Sequence, residues 1–175
     1  MLFRSRGVSR ASRKSLAVAG VAVLLPAAVA MIALPPAPLA AVLGLVWTAD
    51  TSAFLTGRAL GRHRLAPAVS PGKTWEGVAG ALLASLAYAV ILALFLPGVG
   101  TYARGMFWIP YLAAAAVLCV WGILGDLFES AVKRRAGVKD SGALLPGHGG
   151  ALDRIDSATA VLPLGALLFS WFVAP

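Results

Sequence analysis

One stretch of the chain, Ser130 to Asp156, gathers side chains that could do chemistry. It holds five of the fifteen Lys and Arg residues, three of the seven acidic residues and one of the two histidines. Apolar runs flank it, and packing alone gives an apolar chain no reason to collect so many ionisable groups. We interpret the stretch as a site for a metal ion and phosphate. The alternative is a basic loop that only orients the neighbouring helices in a membrane.

Two acidic pairs, each three residues apart, lie at the ends of this stretch. Asp126 and Glu129 share one helix face, and Asp153 and Asp156 repeat the spacing just before the last apolar run. Mg²⁺ prefers carboxylate oxygens and keeps its other coordination positions for water and phosphate. We therefore predict that Asp126, Asp153 and Asp156 bind Mg²⁺. The helix dipole also favours acids at a helix start, which is the structural alternative for the second pair.

Basic residues lie close to these acids, and their cations suit phosphate oxygens. A second charged segment contains Gly72-Lys73-Thr74, which is similar to the end of a nucleotide-binding phosphate loop. That loop needs an earlier glycine where this chain has Pro67, so the motif does not match. Lys73 remains a candidate phosphate contact, and we expect Ser70 or Thr74 to cap the helix that follows.

The histidine and cysteine content argues against other site chemistries. Two histidines and one cysteine are too few for a zinc site, and the single Cys119 allows no internal disulfide. His148 lies among glycines, which let the backbone approach a ligand closely. We interpret His148 as a candidate ligand contact, with a hydrogen bond within the loop as the alternative.

The composition places the chain in a membrane. It is 59% hydrophobic and 13% charged, whereas soluble domains are about half apolar and about a quarter charged. A soluble core of this size cannot cover so many apolar side chains. The net charge of +8 falls mostly in loops beside apolar runs, where it fits anionic lipid headgroups. We therefore expect membrane lipid, and no nucleic acid, as a partner.

Five apolar runs are about long enough to cross a hydrocarbon layer of roughly 30 Å as helices. They are residues Ser15–Leu34, Pro38–Leu55, Gly77–Leu96, Phe107–Phe128 and Ser157–Val173. An open sheet edge in lipid would leave backbone groups without hydrogen bonds. We therefore predict an all-α, polytopic transmembrane bundle of about five spans, forming one integral membrane domain over residues 1–175. The first run is too long for a signal-peptide core, so we interpret it as a retained span.

The basic residues predict the orientation of this bundle. Five lie in the amino-terminal tail (residues 1–14), four between the second and third spans and five between the fourth and fifth, which leaves Arg104 alone on the opposite side. The positive-inside rule places the tail and both charged loops in the cytoplasm. We therefore expect a bacterial-type inner membrane protein whose candidate site faces the cytoplasm.

Several blocks of residues at fixed spacing resemble one enzyme family. The main block consists of Ser130, Lys133-Arg134, Lys139-Asp140, Pro146, His148-Gly149-Gly150, Asp153-Arg154 and Asp156. Further blocks are Gly125–Ser130, Asp50–Phe54, Gly57-Arg58, Gly61-Arg62 and Ser70–Gly77. From about residue 46 to its carboxyl end, the chain resembles the phosphatidate cytidylyltransferases, also called CDP-diacylglycerol synthases.

The resemblance implies an activity and a set of site residues. The activity joins CTP and phosphatidate to give CDP-diacylglycerol and pyrophosphate. By resemblance Asp126 and Asp153 bind Mg²⁺, with Asp156 as a further candidate, and the resemblance leaves open a second, monovalent cation that shares the site with Mg²⁺. The implied phosphate contacts are Ser70, Lys73, Lys133, Arg134, Lys139 and Arg154. The implied catalytic residues are Asp126, Asp153, Lys133 and His148.

Some assignments stay open at this point. Asp50 and Asp140 are either metal ligands or ion-pair partners of basic groups, and the resemblance leaves a homodimer open. A CTP-dependent lipid kinase is the nearest rival enzyme. Members of the family usually carry more helices before the first block, so an inactive shortened homologue, serving as a membrane assembly partner or a transporter, is the alternative from another class.

Overall fold

The computed structural model describes residues 13–96, 108–135, 137 and 155–173 of the chain. Within these ranges the chain forms five α-helices and one two-stranded antiparallel sheet. In chain order they are α1 (Arg13–Ala33), α2 (Pro36–Leu60), β1 (Arg64–Ala66), β2 (Ser70–Thr74), α3 (Trp75–Phe95), α4 (Trp108–Arg135) and α5 (Asp156–Val173).

The five helices coincide with the five predicted spans, which confirms an all-α membrane bundle. Helices α2, α3 and α4 are each long and apolar enough to cross a membrane, and α1 and α5 add the shorter apolar segments Gly20–Ala33 and Asp156–Phe172. Large apolar side chains face outward, such as Ile32, Phe95 and Ile109, which are 85%, 75% and 81% exposed. Lipid tails can solvate such faces. The chain is therefore an integral membrane protein.

Two helices run further than their apolar sequences predict. Helix α2 ends at Leu60 where we expected Leu55, and α4 ends at Arg135 where we expected Phe128. The predicted ends marked the limits of apolar sequence, but backbone hydrogen bonding continues into polar residues beyond them. Both extensions lie at the end of the bundle where α2 and α4 finish and α3 and α5 begin, which we call the charged end.

The charged loop predicted between α2 and α3 contains a β-hairpin, which the sequence analysis did not predict. Arg64 of β1 lies opposite Thr74 of β2, with a register irregularity between this pair and the pair of Ala66 and Ser70. Strand β2 contains Pro and Gly, which are depleted in strands, and no alternating pattern marks it. The two strands are also joined by Arg64 Nη1, which donates to the carbonyl oxygen of Pro71 at 2.6 Å.

The base of the hairpin is fixed to the start of α3. Thr74 is the N-cap, as expected, and its Oγ1 accepts a hydrogen bond from the Gly77 amide at 3.1 Å. The Glu76 carboxylate accepts from the amides of Arg62 and His63 at 3.1 and 3.3 Å, and it lies 2.7 Å from His63 Nδ1. These contacts set the position of β2 relative to the helices.

The core lies between α2, α3, α4 and α5 and consists largely of small side chains. Its buried members include Ala49, Ala81, Ala115, Cys119 and Val161. Small residues let helix backbones approach closely in a membrane, where van der Waals contact replaces the hydrophobic effect as the main driving force. The close approach brings polar groups on separate helices within reach of one another at the charged end.

Candidate functional site

A cavity of about 720 Å³, lined by both charged and apolar residues, opens at the charged end of the bundle. Acidic residues from three helices line it: Asp50 of α2, Asp126 of α4 and Asp156 of α5. Basic residues of α2 and the hairpin line it as well, and these are Arg58, Arg64 and Lys73. The cavity therefore brings together opposite charges from segments that are far apart in sequence.

Asp126 and Lys73 form an ion pair in this cavity. Lys73 Nζ lies 2.5 Å from Asp126 Oδ2, and the two side chains are 23% and 28% exposed. The other carboxylate oxygen of Asp126 accepts a hydrogen bond from Ser130 Oγ, one helical turn further along α4, at 3.4 Å. Asp126 is therefore held on both oxygens, by an ammonium group from the hairpin and by a hydroxyl from its own helix.

Asp50 and Asp156 meet at Ser157, which is buried. Ser157 Oγ donates to Asp50 Oδ1 at 3.3 Å, and the Ser157 amide donates to Asp156 Oδ1 at 2.7 Å. Asp156 lies in the first turn of α5, where the helix dipole favours a negative charge. In the part of the chain that the structure describes, Asp50 forms no ion pair, so a hydroxyl holds this carboxylate.

The predicted magnesium ligands are partly brought together. Asp126 and Asp156 line the same cavity, whereas Asp153 lies outside the described residues. Over residues 13–96, 108–135 and 155–173, no three His, Cys, Asp or Glu side chains are close enough to hold one ion. The hard oxygen donors nevertheless fit Mg²⁺, which needs only one or two carboxylates and takes its remaining ligands from water and substrate phosphate.

The other predicted cations of α4 lie at the charged end but do not line this cavity. Lys133 Nζ lies 3.3 Å from Glu129 Oε1, one turn along the same helix, at a spacing that favours an ion pair. Arg134 Nε donates to the carbonyl oxygen of Val69 at 3.3 Å, and this bond joins α4 to the hairpin turn. The predicted phosphate contacts of Lys133 and Arg134 therefore stay predictions.

The structure does not place the remaining predicted site residues in the cavity. Ser70 begins β2 and does not line the cavity, so its phosphate contact also stays a prediction. The other predicted site residues lie outside the described part of the chain, and they are Lys139, Asp140, His148, Asp153 and Arg154.

Sequence reasoning missed part of the cavity wall. Arg58, Arg64 and Ser157 line the cavity but were not predicted as site residues, and Asp50 was not ranked. Only the position of Ser157, next to Asp156 at the start of an apolar run, could have indicated its role. The cavity positions of Asp50 and Arg64 depend on contacts between distant segments, which no local pattern encodes.

The fold and the cavity together define an integral membrane protein with a charged pocket at one end of an apolar bundle. The chain belongs to the Cytidylyltransferase family, whose model matches residues 5–172.

Named relatives are similar to most of this chain. It is 49% identical over 128 residues to the phosphatidate cytidylyltransferase of Haemophilus influenzae, and the match covers 73% of this chain and 42% of that protein. It is 49% identical over 154 residues to that of Pseudomonas aeruginosa, covering 85% and 55%. It is 46% identical over 120 residues to that of Staphylococcus haemolyticus, covering 69% and 44%. The chain thus spans about half the length of the curated relatives it matches.

Proposed function

We propose that this chain transfers the cytidylyl group of CTP to phosphatidate, giving CDP-diacylglycerol and pyrophosphate. The family membership and the names of the relatives support this reaction. The observation that carries the proposal is the cavity at the charged end, where carboxylates from three helices face a hairpin lysine. A site that joins two phosphate-bearing molecules needs negative groups to hold a metal ion and positive groups to bind phosphate.

In the proposed reaction a phosphate oxygen of phosphatidate attacks the α-phosphorus of CTP. A new phosphorus–oxygen bond forms, and the bond from the α-phosphorus to the oxygen bridging to the β-phosphorus breaks. Pyrophosphate leaves with the electron pair of that bond. Because the lipid phosphate is already an anion at neutral pH, the site needs no strong general base. Its task is to bring two anions together and stabilise the charge on the transferring group.

The cavity residues divide this task between them. Asp126 and Asp156, with Asp153 by resemblance, would hold Mg²⁺, and Asp50 is a further candidate ligand. When bound, Mg²⁺ neutralises phosphate charge and orients the leaving pyrophosphate. Lys73 contacts phosphate from the hairpin side, and the resemblance adds Lys139 and Arg154. A monovalent cation and a homodimer also belong to this proposal on the resemblance alone.

The proposed orientation puts the cavity at the cytoplasmic face of a bacterial inner membrane. What supports it is the concentration of basic residues in the segments at the charged end, in line with the positive-inside bias. CTP would then reach the cavity from the cytoplasm. Phosphatidate would enter from the adjoining leaflet with its tails against the apolar outer faces of the helices.

The test uses CTP radiolabelled at either the α- or the γ-phosphate. Purified protein in lipid nanodiscs is given phosphatidate and Mg²⁺, and the lipid and water-soluble products are separated. A cytidylyltransferase carries the α-label into lipid and releases the γ-label as pyrophosphate. A CTP-dependent lipid kinase would instead carry the γ-label into lipid and release CDP, and an inactive homologue would label no lipid. Either result would overturn the proposal.

The matched control for this assay is Asp126→Asn, which keeps the size of the side chain and removes its charge. We expect Asp126→Asn to lose lipid labelling while eluting from a sizing column like the unaltered protein. Full lipid labelling by this variant would show that the reaction does not need the charge of Asp126.

A further inference from the structure

The ammonium group of Lys73 occupies an oxygen of Asp126 that a metal ion would also bind. Lys73 Nζ lies 2.5 Å from Asp126 Oδ2, so the ammonium group is in direct contact with this oxygen. An ammonium group and a divalent cation repel each other, so both cannot stay at close contact with one oxygen. If Mg²⁺ binds this oxygen of Asp126, the amine of Lys73 has to leave it.

The backbone of Lys73 is held by contacts in which its side chain takes no part. Strand β2 pairs with β1, Thr74 caps α3, and Arg134 ties the hairpin turn to α4 through the carbonyl oxygen of Val69. These contacts do not involve the amine of Lys73. The four-carbon side chain of Lys73 can therefore redirect its charge without moving the hairpin.

We propose that Lys73 takes the place of the metal at Asp126 in the ligand-free protein and turns to a phosphate group when a divalent cation binds. In the ligand-free state Lys73 offsets the repulsion among Asp50, Asp126 and Asp156, which line one cavity. Metal binding then releases the amine beside the entering nucleotide. This inference rests on the proposed function for the identity of the phosphate, whereas the exchange at Asp126 requires only a divalent cation.

The first test measures how readily the amine of Lys73 reacts with a small acetylating reagent. The chain has four lysines, at positions 14, 73, 133 and 139, which mass spectrometry can follow separately. Lys14 is the internal reference because it lies near the amino terminus and has no predicted role at the site. We expect saturating Mg²⁺, without nucleotide, to raise the labelling rate of Lys73 about threefold or more relative to Lys14, because a charge-assisted pair is broken. Choline chloride at the same ionic strength should not. An unchanged or lower rate for Lys73 with Mg²⁺ overturns the proposal.

The second test measures Mn²⁺ binding by electron paramagnetic resonance in three variants. Lys73→Met removes the competing charge at similar length, and we expect it to bind Mn²⁺ about tenfold more tightly than the unaltered protein. Lys73→Arg keeps the charge and should bind Mn²⁺ as the unaltered protein does. Arg58→Met removes a charge from the same cavity wall without touching Asp126, so it reports on net charge alone. Weaker binding in Lys73→Met, or an equal gain in Arg58→Met, overturns the exchange.

These outcomes separate the exchange from the proposed reaction. If the protein makes CDP-diacylglycerol but Mg²⁺ has no effect on the labelling of Lys73, the proposed function stands and the proposed exchange at Asp126 is rejected. If Mg²⁺ raises the labelling of Lys73 and Lys73→Met binds Mn²⁺ more tightly, but no cytidylyl group is transferred, the exchange stands and the proposed function is rejected.

Discussion

Ser157 Oγ donates a hydrogen bond to Asp50 Oδ1 at 3.3 Å, joining α5 to α2 across 107 positions of sequence. Because Ser157 is 3% exposed, water cannot readily replace its hydroxyl. Ser157 also bonds Asp156 through its amide, so one residue sets the orientation of two cavity carboxylates. If Asp50 is a metal ligand, loss of the Ser157 hydroxyl should lower the affinity of the site for the metal.

We therefore predict that Ser157→Ala raises the Mg²⁺ concentration for half-maximal activity by about three- to tenfold, the equivalent of one lost hydrogen bond. The measurement is a Mg²⁺ titration of CDP-diacylglycerol formation at saturating CTP. The matched control is Ser170→Ala on the same helix, whose hydroxyl contacts only the Leu167 carbonyl among the described residues, far from the cavity. Equal Mg²⁺ dependence in the two variants would show that Ser157 does not orient a metal ligand.

A second prediction concerns the contact between α4 and α5 beside the cavity. A Cβ atom at Gly125 would lie 2.4 Å from Cβ of Ala160, closer than two carbon atoms can pack. We expect Gly125→Ala to push the helices apart and lower the free energy of unfolding by about 1–3 kcal/mol. Thermal unfolding in detergent measures the loss.

Two variants show whether this loss comes from the helix contact. Ala160→Gly combined with Gly125→Ala moves the methyl group from one helix to the other and should recover most of the stability. Gly20→Ala meets no atom within 4 Å and should leave stability unchanged or slightly raised. A double variant no more stable than Gly125→Ala would contradict this explanation.

A third prediction concerns the carboxylate that closes the hairpin. Glu76 accepts hydrogen bonds from the amides of Arg62 and His63 and from the His63 ring. Glu76→Gln weakens these contacts, so we expect the hairpin to open more often. Trypsin should cut after Arg62 and Arg64 about three times faster, and KM for CTP should rise because Lys73 is less well placed. His63→Phe loses only the ring contact and should show a smaller change in both. If His63→Phe instead shows the larger change in cleavage rate and in KM for CTP, the Glu76 carboxylate is not what holds the hairpin closed.

The difference between what was predicted and what was missed has a physical basis. The helices follow from apolar length, and the cap at Thr74 follows from residue type, because both depend on neighbours in sequence. The meeting of Asp126 and Asp156 was expected from their place at the same end of two spans. The hairpin was missed because Pro71 and Gly72 give strand β2 no local preference for a strand. The position of Asp50 was missed for another reason, since it depends on how α2 packs against α5.

A last prediction concerns the route of the lipid. Phe54 lines the cavity, is 63% exposed and lies one helical turn from Asp50, so its ring stands between the charged site and the outer face of α2. We expect Phe54→Ala to raise KM for phosphatidate by about fivefold, the equivalent of roughly 1 kcal/mol of lost apolar contact, because the ring would pack against the glycerol and upper tail of the lipid. KM for CTP should change by less than about twofold, because CTP would reach the cavity from the water side. Phe95→Ala removes an equally large and exposed ring at the far end of α3 and should change neither constant. If Phe54→Ala raises KM for CTP and leaves KM for phosphatidate unchanged, the lipid does not enter past this ring.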